Sequence, residues 1–280
     1  MIAPMTVNGA GPFRFIVDTG ANRSAVSHAL AERLGLTPSG TGDLHTVHGV
    51  TTAPLVTLES LEYGETPMGA GAVPVVQGPV LAGEHGLLGV DGMRGRRLRM
   101  DFQHRCIEIG PADAPMWRRG WTSVQGELRF GHLVVIEGRV GRRRVDVLVD
   151  TGSDATLTNR AFLKQLAPDL RFDRMRAENA RGYSVSEAVV LDTRVVIPRF
   201  RMGEVQVRNV SAYVGDFHIF RLWQLIDTPA LLIGMDVLMQ TEAIAIDYGN
   251  ATVHFRLAST PSTGSRIPSN RPGAGMIIGY

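Results

Sequence analysis

The chain has 280 residues, a formal net charge of +2 and 44% hydrophobic residues. It is long enough for two domains of ordinary size. Its 20% of charged residues, set against the hydrophobic fraction, is typical of a globular protein and excludes the class of intrinsically disordered chains. Its 32 glycines and its small aromatic fraction of 6% favour many short strands joined by tight turns.

Neither charge nor hydropathy indicates a nucleic-acid or membrane partner. The arginines at Arg94–Arg99 and Arg142–Arg144 are not interleaved with aromatic residues, so we interpret them as solvated turns and strand ends. No apolar run approaches the roughly 18 to 20 residues that cross a bilayer. The single cysteine, Cys106, excludes an internal disulfide, and its place in an apolar alternation predicts a small buried residue rather than a nucleophile.

The N-terminal segment predicts two strands. The first spans Ala3–Val7, and no charged region followed by an apolar one precedes it, so no signal peptide is visible. The second ends at Asp18-Thr19-Gly20, because the apolar residues before it recur at period two: Phe13, Phe15 and Val17. Glycine two residues after the aspartate permits a tight turn.

A short helix and a second motif follow this turn. The helix is predicted to begin after an N-cap at Ser27. Farther along, Leu87-Leu88-Gly89 precedes a strand pair formed by Met100–Phe102 and Ile107–Ile109. Prolines and a glycine then indicate a linker over residues 111–126.

The second half of the chain repeats these signals. A shift of 132 residues places the first Asp-Thr-Gly on Asp150-Thr151-Gly152. A second short helix is predicted after an N-cap at Thr158 or Asn159. The segment Leu232-Ile233-Gly234 lies 145 residues after its counterpart in the first copy. The second copy therefore carries about thirteen extra residues between its two motifs, which we expect in loops.

The aspartates at the two matched strand ends are candidates for one shared site. Two carboxyl groups held within hydrogen-bonding distance do not ionise together easily, so one retains a proton near neutral or mildly acidic pH. Such a pair provides a general base and a general acid at once. A single Asp-Thr-Gly is a weak signal because Asp-x-Gly is an ordinary turn, but two copies, each with the downstream glycine motif, favour a shared site.

The pattern of two apolar residues and Asp-Thr-Gly-Ala/Ser, followed downstream by apolar-apolar-Gly-x-Asp, resembles the retropepsin and pepsin family of aspartic proteases. The resemblance covers both copies and implies an all-β fold with two retropepsin-like (acid protease) β-barrel lobes, related by the internal repeat and with few short helices. Each copy is close in length to a retropepsin subunit, which implies a single-chain protein of bacterial type. The lobes are placed at residues 1–110 and 127–257, the linker at 111–126, and a flexible tail at 258–280 in which Met276–Ile278 is a candidate strand.

This resemblance implies an aspartic-type endopeptidase that hydrolyses peptide bonds through a water activated by Asp18 and Asp150, without a metal or cofactor. The residues expected to support the active site are Thr19, Gly20, Thr151 and Gly152. The implied partner is a polypeptide substrate, and the implied assembly is a monomer whose lobes form an intramolecular pseudo-dimer. Charge and hydropathy, as above, predict no nucleic-acid partner and no membrane-spanning segment. The location is unknown from the residues, and a periplasmic or exported protein is expected from the resemblance only.

The resemblance also implies a flap in each copy, a hairpin that covers the substrate. Gly49 and Gly182 are the candidate flap glycines, since each lies between the two motifs of its repeat. Tyr183 is either an aromatic flap residue or an exposed loop residue. His45 and His48 are three residues apart, but without cysteine or glutamate at ligand spacing we predict no metal site.

Two alternatives stay open. The first is a catalytically silent peptide-binding module of the same fold, although the intact Asp-Thr-Gly in both copies argues against it. In the second, each lobe pairs with its counterpart in another chain. A linker of about fifteen residues and the high effective concentration within one chain favour the intramolecular pairing.

Overall fold

The computed structural model describes residues 1–77, 81–115, 119–172, 180–183, 188–191, 193–257 and 277–279. The first part of the chain contributes β1 (Ile2–Val7), β2 (Ala10–Val17), β3 (Ala25–Ser27), β4 (Pro38–Thr46), β5 (Val50–Tyr63), β6 (Thr66–Val76), β7 (Gly86–Leu88), β8 (Arg96–Asp101) and β9 (Cys106–Pro111). The second part contributes β10 (Trp121–Arg129), β11 (Leu133–Val140), β12 (Arg143–Val149), β13 (Leu157–Thr158), β14 (Arg171–Phe172), β15 (Ala180–Tyr183), β16 (Ala188–Leu191), β17 (Thr193–Met202), β18 (Val205–Val214), β19 (Ala230–Ile233), β20 (Ala243–Asp247), β21 (Thr252–Arg256) and β22 (Ile277–Gly279).

The helices are short: α1 (His28–Arg33), α2 (Arg160–Leu166), α3 (His218–Leu222) and α4 (Met235–Leu238). Ser27 caps α1, because its Oγ accepts a hydrogen bond from the Leu30 N–H at 3.1 Å. Asn159 caps α2, because its Oδ1 accepts from the Phe162 N–H at 2.8 Å. These caps confirm both predicted helix starts. Among the described residues, no helix is long and apolar enough to span a bilayer.

Six strands of the first repeat close into a barrel. Their order is β1-β2-β7-β3-β6-β5, and the pairing of β1 with β5 completes the circle. Along β2, Phe13, Phe15 and Val17 are buried, whereas Arg14 between them is exposed. The predicted strand is confirmed, but Ile16, on the same side as Arg14, is also buried, so both faces are covered near the end of β2.

A second barrel forms from the second repeat. Its order is β11-β12-β19-β13-β18-β17, and β17 pairs with β11 to close it. In each barrel, the strand that leads to Asp-Thr-Gly lies parallel to the strand of the apolar-apolar-glycine motif, β2 with β7 and β12 with β19. The two repeats therefore fold alike, which confirms the predicted all-β class with two barrels and few short helices.

One continuous sheet joins the two repeats. From β11 it continues through β10, β21, β20, β8 and β9. The central pairing joins a strand of each repeat, β8 and β20, with Ala243 opposite Asp101 and Asp247 opposite Arg97. Residues 121–126 of the predicted linker lie in β10, which pairs with β21 and β11. This architecture fits an intramolecular pseudo-dimer.

The shared sheet corrects the interpretation of the basic run Arg94–Arg99. Arg97 is only 8% exposed, and its Nη2 forms an ion pair with Asp247 Oδ2 at 2.9 Å. It also donates hydrogen bonds to the carbonyl oxygens of Ala112 and Ala114. The prediction of a solvated arginine is wrong at this position because β8 is an inner strand of the sheet, flanked by β20 and β9.

Cys106 is exposed, so the prediction of a buried cysteine is wrong. It begins β9, the edge strand of the shared sheet. Successive residues of a strand face opposite sides, and Cys106 lies on the exposed side with Glu108, whereas Ile109 on the other side is buried. The apolar alternation correctly indicates a strand, but the buried side is the one that carries Ile107 and Ile109 and not the one that carries Cys106.

Part of the predicted tail lies within the described residues. β22 pairs antiparallel with β4, with Ile278 opposite His45. This pairing agrees with the candidate strand at Met276–Ile278, shifted by one residue. Residues 258–276 and residue 280 of the predicted tail lie outside the described residues.

Candidate active site

Asp18 and Asp150 follow directly after β2 and β12. The N–H of Asp18 donates to the carbonyl oxygen of Leu88 at 3.0 Å, and the N–H of Asp150 donates to that of Ile233 at 2.9 Å. Each aspartate therefore extends the parallel strand pair of its own barrel by one hydrogen bond. Both side chains are buried, with exposed fractions of 1% and 0%.

The threonines after the two aspartates interlock across the boundary between the barrels. The N–H of Thr19 donates to Thr151 Oγ1 at 3.1 Å, and the N–H of Thr151 donates to Thr19 Oγ1 at 3.1 Å. Each hydroxyl in turn donates to a carbonyl oxygen of the opposite barrel, Thr19 to Val149 at 2.7 Å and Thr151 to Val17 at 2.8 Å. Four buried hydrogen bonds, related by pseudo-twofold symmetry, thus fix the two loops relative to each other.

The two glycines provide room for the opposite carboxyl group. A Cβ atom at Gly20 would lie 2.7 Å from Asp150 Cγ, and one at Gly152 would lie 2.2 Å from Asp18 Cγ. Each glycine N–H also donates to the Oδ1 of its own loop's aspartate, at 2.9 Å and 2.8 Å. Neither glycine has a positive φ, so close approach of the partner loop, rather than a special backbone conformation, requires glycine here.

Burial and mutual repulsion disfavour two negative charges at this site. Burial raises the pKa of Asp150 well above its ordinary value, and the charge of Asp18 and a side-chain hydrogen bond with Asp18 raise it further. The N–H groups of Gly152 and Ser153 act in the opposite direction but do not reverse the shift. The pair therefore holds one proton in a pH range where an isolated aspartate is ionised.

A hydrogen-bonded network that was not predicted from the sequence supports the first loop. Ser24 donates from its N–H to Asp91 Oδ2 at 3.0 Å and from its Oγ to Asp91 Oδ1 at 2.7 Å. Its Oγ also accepts from the N–H of Gly89 at 3.1 Å. A Cβ atom at Gly89 would lie 2.5 Å from the backbone of Arg23, so the glycine motif packs directly against the loop that follows Asp18.

The second loop has the same support. Thr156 Oγ1 donates to Asp236 Oδ1 at 2.8 Å and accepts from the N–H of Gly234 at 3.2 Å. Burial raises the pKa of Asp236, against the hydrogen bonds from Thr156 and Val237. The signal was present in the sequence, because Ser24 and Thr156 are related by the same shift of 132 residues and each glycine motif ends in Gly-x-Asp.

The two candidate flap glycines occupy different positions. Gly49 lies in the turn between β4 and β5, where Thr46 Oγ1 accepts from the N–H groups of His48 and Gly49 at 3.3 Å and 3.2 Å. Gly182 lies inside β15, opposite Val189 of β16 in a separate two-stranded sheet. Residues 184–187, between these strands, lie outside the described residues.

The β4–β5 hairpin reaches the second barrel, a contact that no sequence pattern indicated. His45 Nδ1 lies 2.9 Å from His218 Nε2, and the two ring planes are inclined by only 9°. His48 packs edge-on against Phe217, with ring centroids 5.6 Å apart. Within the described part of the chain, no group of three or more histidine, cysteine, aspartate or glutamate residues could hold a metal ion.

Comparison with known proteins agrees with this geometry. The model of a family described as aspartyl protease matches residues 3–91 and 135–237, which together make up more than half of the chain and include both aspartate loops. A search of curated proteins gives no significant match. On the strength of the family match, the chain belongs to the aspartyl protease family.

Proposed function

We propose that the protein is an aspartic-type endopeptidase in which Asp18 and Asp150 activate a water molecule for attack on a peptide bond. The observation that carries this proposal is the crossed arrangement of the two loops, in which each glycine lies against the opposite carboxyl group. The raised pKa of Asp150 supports a pair that holds one proton, as general acid–base catalysis requires.

In the proposed reaction, the ionised carboxylate accepts a proton from the water as its oxygen attacks the peptide carbonyl carbon. The protonated carboxyl donates its proton to the carbonyl oxygen, which gives a neutral tetrahedral intermediate. The carbon–nitrogen bond then breaks as the carboxyl that took the water's proton gives it to the leaving nitrogen, and one hydroxyl of the intermediate returns a proton to the other carboxylate. The products are an amine and a carboxylic acid, and the pair again holds one proton. Burial of both carboxyl groups places these transfers in a medium where fixed charges act strongly.

The proposed assembly is a single chain that carries its complete pair, with lobes at 1–110 and 127–257 joined by 111–126. Two features support it: the four threonine hydrogen bonds between the loops and the continuous sheet from β11 to β9. Gly49 and Gly182 are proposed as flap glycines above a polypeptide substrate, and Gly49 has the stronger support because it lies in a hairpin turn.

The test is cleavage of a broad peptide mixture between roughly pH 4 and 7 by the wild type and by the Asp18→Asn and Asp150→Asn variants. Each substitution removes one half of the acid–base pair, so we expect kcat/KM to fall by about 10²- to 10⁴-fold in both. The matched control is Asp113→Asn, which alters an exposed aspartate and should leave cleavage unchanged. Circular dichroism verifies that each variant folds.

The other outcomes separate the alternatives. A wild type that binds a statine-type transition-state mimic but cuts no peptide would be a peptide-binding module. If a mixture of the Asp18→Asn and Asp150→Asn chains regains activity that neither has alone, the lobes pair between chains. Activity that survives either substitution would contradict a shared pair.

A further inference from the structure

The β4–β5 hairpin makes a further contact between the barrels, separate from the threonine bonds of the aspartate loops and from the shared sheet. Near its turn, His45 and His218 are joined by a ring-nitrogen contact of 2.9 Å, with ring centroids 5.2 Å apart. At the turn itself, His48 contacts Phe217. Because His45 and His48 belong to the first repeat and Phe217 and His218 to the second, these contacts hold the hairpin against the opposite lobe.

The elements on each side of this contact are also connected to the segments next to the aspartate loops. On the first lobe, Leu44 of β4 belongs to a buried cluster with Ile16 and Ala21, which flank Asp18. On the second lobe, the segment before α3 is tied to the strand that follows the Asp150 loop, since the N–H of Gly215 donates to the carbonyl oxygen of Thr158 at 3.0 Å. Release of the hairpin would therefore loosen a connection between β2, which precedes Asp18, and β13, which follows the Asp150 loop.

We propose that His45, His48 and His218 form an acid-released latch, which holds the β4–β5 hairpin on the second lobe near neutral pH and frees it in acid. The latch rests on the proposed function, because it assigns the hairpin as the gate through which a polypeptide reaches Asp18 and Asp150. Acid would then open the gate under the conditions in which the carboxyl pair holds its proton.

The number of protons on the two rings decides whether the contact between His45 and His218 can form. A neutral or singly protonated pair of imidazoles has one N–H donor and one acceptor nitrogen for the contact between His45 and His218. When both rings are protonated, each presents only donors, and two positive charges face each other at 2.9 Å. The contact therefore survives the first proton and is lost with the second.

Burial adds to this effect. It lowers the pKa of His48 to about 4, and burial, followed by the charges of His45 and Arg221, lowers the pKa of His218. A histidine whose pKa is lower in the closed state than its ordinary value of about 6.5 binds more protons when the hairpin is open. Lowering the pH below about 6.5 therefore favours the open state.

Among the described residues, the charged groups near the latch are of both signs, and the effect of the carboxylate on the same face of β4 as His45 is weakened by solvent screening. Arg221, three residues after His218 on α3, adds positive charge. Asp216 is already paired with Arg160 at 2.6 Å, and Asp43, two residues before His45 on β4, is exposed. The residues of β22 that pair with β4, Ile277-Ile278-Gly279, are of types that carry no titratable side chain.

The test is a distance measurement between two spin labels, one on each lobe. Val50→Cys, at the exposed start of β5, and Glu204→Cys, in the exposed turn between β17 and β18, carry the labels, in a Cys106→Ser background because Cys106 is exposed. We expect one narrow distance at about pH 7.5 and a second, longer one at about pH 5. The ratio of open to closed molecules should rise roughly tenfold per pH unit for each proton taken up.

Non-titrating variants identify the groups responsible. The triple variant His45→Gln, His48→Phe, His218→Gln should show the same distances at both pH values, and the single variant His45→Gln should lose part of the response. His28→Gln, which removes an exposed histidine of α1, should behave like the wild type. An unchanged wild-type distribution, or a pH response that persists in the triple variant, would overturn the latch. Because no substrate is used and Asp18→Asn serves as a second background, this result is independent of whether the protein cleaves peptides.

Discussion

At the scale of single residues, each aspartate loop places its glycine against the carboxyl group of the other loop. Gly152 has the tighter fit, with a hypothetical Cβ atom 2.2 Å from Asp18 Cγ, compared with 2.7 Å between Gly20 and Asp150 Cγ. Contacts this short are relieved only by movement of the loops, and proposed catalytic groups in a packed site tolerate little movement.

We predict that Gly152→Ala lowers peptide cleavage by about 10²-fold, because displacement of a reacting group by about 1 Å has that effect. The protein should still fold, with reduced stability in denaturant titration. The matched control is Gly110→Ala, since Gly110 has an ordinary φ and a Cβ atom added there would have no neighbouring atom within 4 Å. Equal activities of the two variants would show that the crossed loops tolerate an extra methyl group.

At the scale of elements, α1 and α2 are related by the repeat but are held with different numbers of hydrogen bonds. Ser27 makes the single capping bond to Leu30. Asn159 also donates from Nδ2 to the carbonyl oxygens of Leu225 and Thr228, at 2.6 Å and 2.7 Å. The cap of α2 therefore fixes both the helix start and the loop that leads into β19.

We predict that Ser27→Ala lowers the free energy of unfolding by about 0.5–2 kcal/mol, as for other helix caps. Asn159→Ala should cost more, since the carbonyl oxygens of Leu225 and Thr228 also lose their donor, and leaving the buried one at Leu225 unsatisfied costs about 1–3 kcal/mol. Chemical denaturation of both variants measures the difference, and Asn159→Ser, which keeps a neutral capping oxygen but has no Nδ2 donor, separates the loop contribution from that of the cap. Equal losses in Ser27→Ala and Asn159→Ala would contradict the bracing role of Nδ2.

At the scale of the whole molecule, the shared sheet joins the lobes through a buried ion pair. Arg97 of β8 and Asp247 of β20 have side chains 8% and 3% exposed. Burial raises the pKa of Asp247, but hydrogen bonds from Arg97 and Asn250 outweigh it, and the net shift is downward. A buried pair of this kind is costly to break on one side only, because the remaining charge is left without its partner.

We predict that Arg97→Met lowers the free energy of unfolding by about 3–5 kcal/mol near neutral pH, and that adding Asp247→Asn restores part of it. The pKa of Asp247 is lower in the folded chain than in the unfolded chain. The ion pair therefore stabilises the fold at pH values above the ordinary pKa of about 3.8, and this stabilisation is lost as the pH falls through the lowered pKa. The difference between wild type and Arg97→Met should therefore shrink in strong acid. A difference that stays constant down to about pH 2 would contradict this linkage.

Features set by neighbouring residues were predictable from the sequence alone. The period-two alternation before Asp18, the repeat at a shift of 132 residues and the caps at Ser27 and Asn159 depend on local backbone chemistry and on which side chains leave water. Together with the resemblance to aspartic proteases, these features predict a fold of two β-barrels and identify the two aspartates as candidate site residues. The prediction of two barrels is confirmed.

Only the tertiary structure decided which distant residues meet. The burial of Arg97 and the exposure of Cys106 depend on whether a strand lies inside the shared sheet or at its edge, and strand order is not encoded in local periodicity. The same holds for the contact between His45 and His218, which lie 173 residues apart in the chain. Local patterns report what each segment prefers, whereas the partners of a buried or charged group follow from long-range packing, which is cooperative over the whole chain.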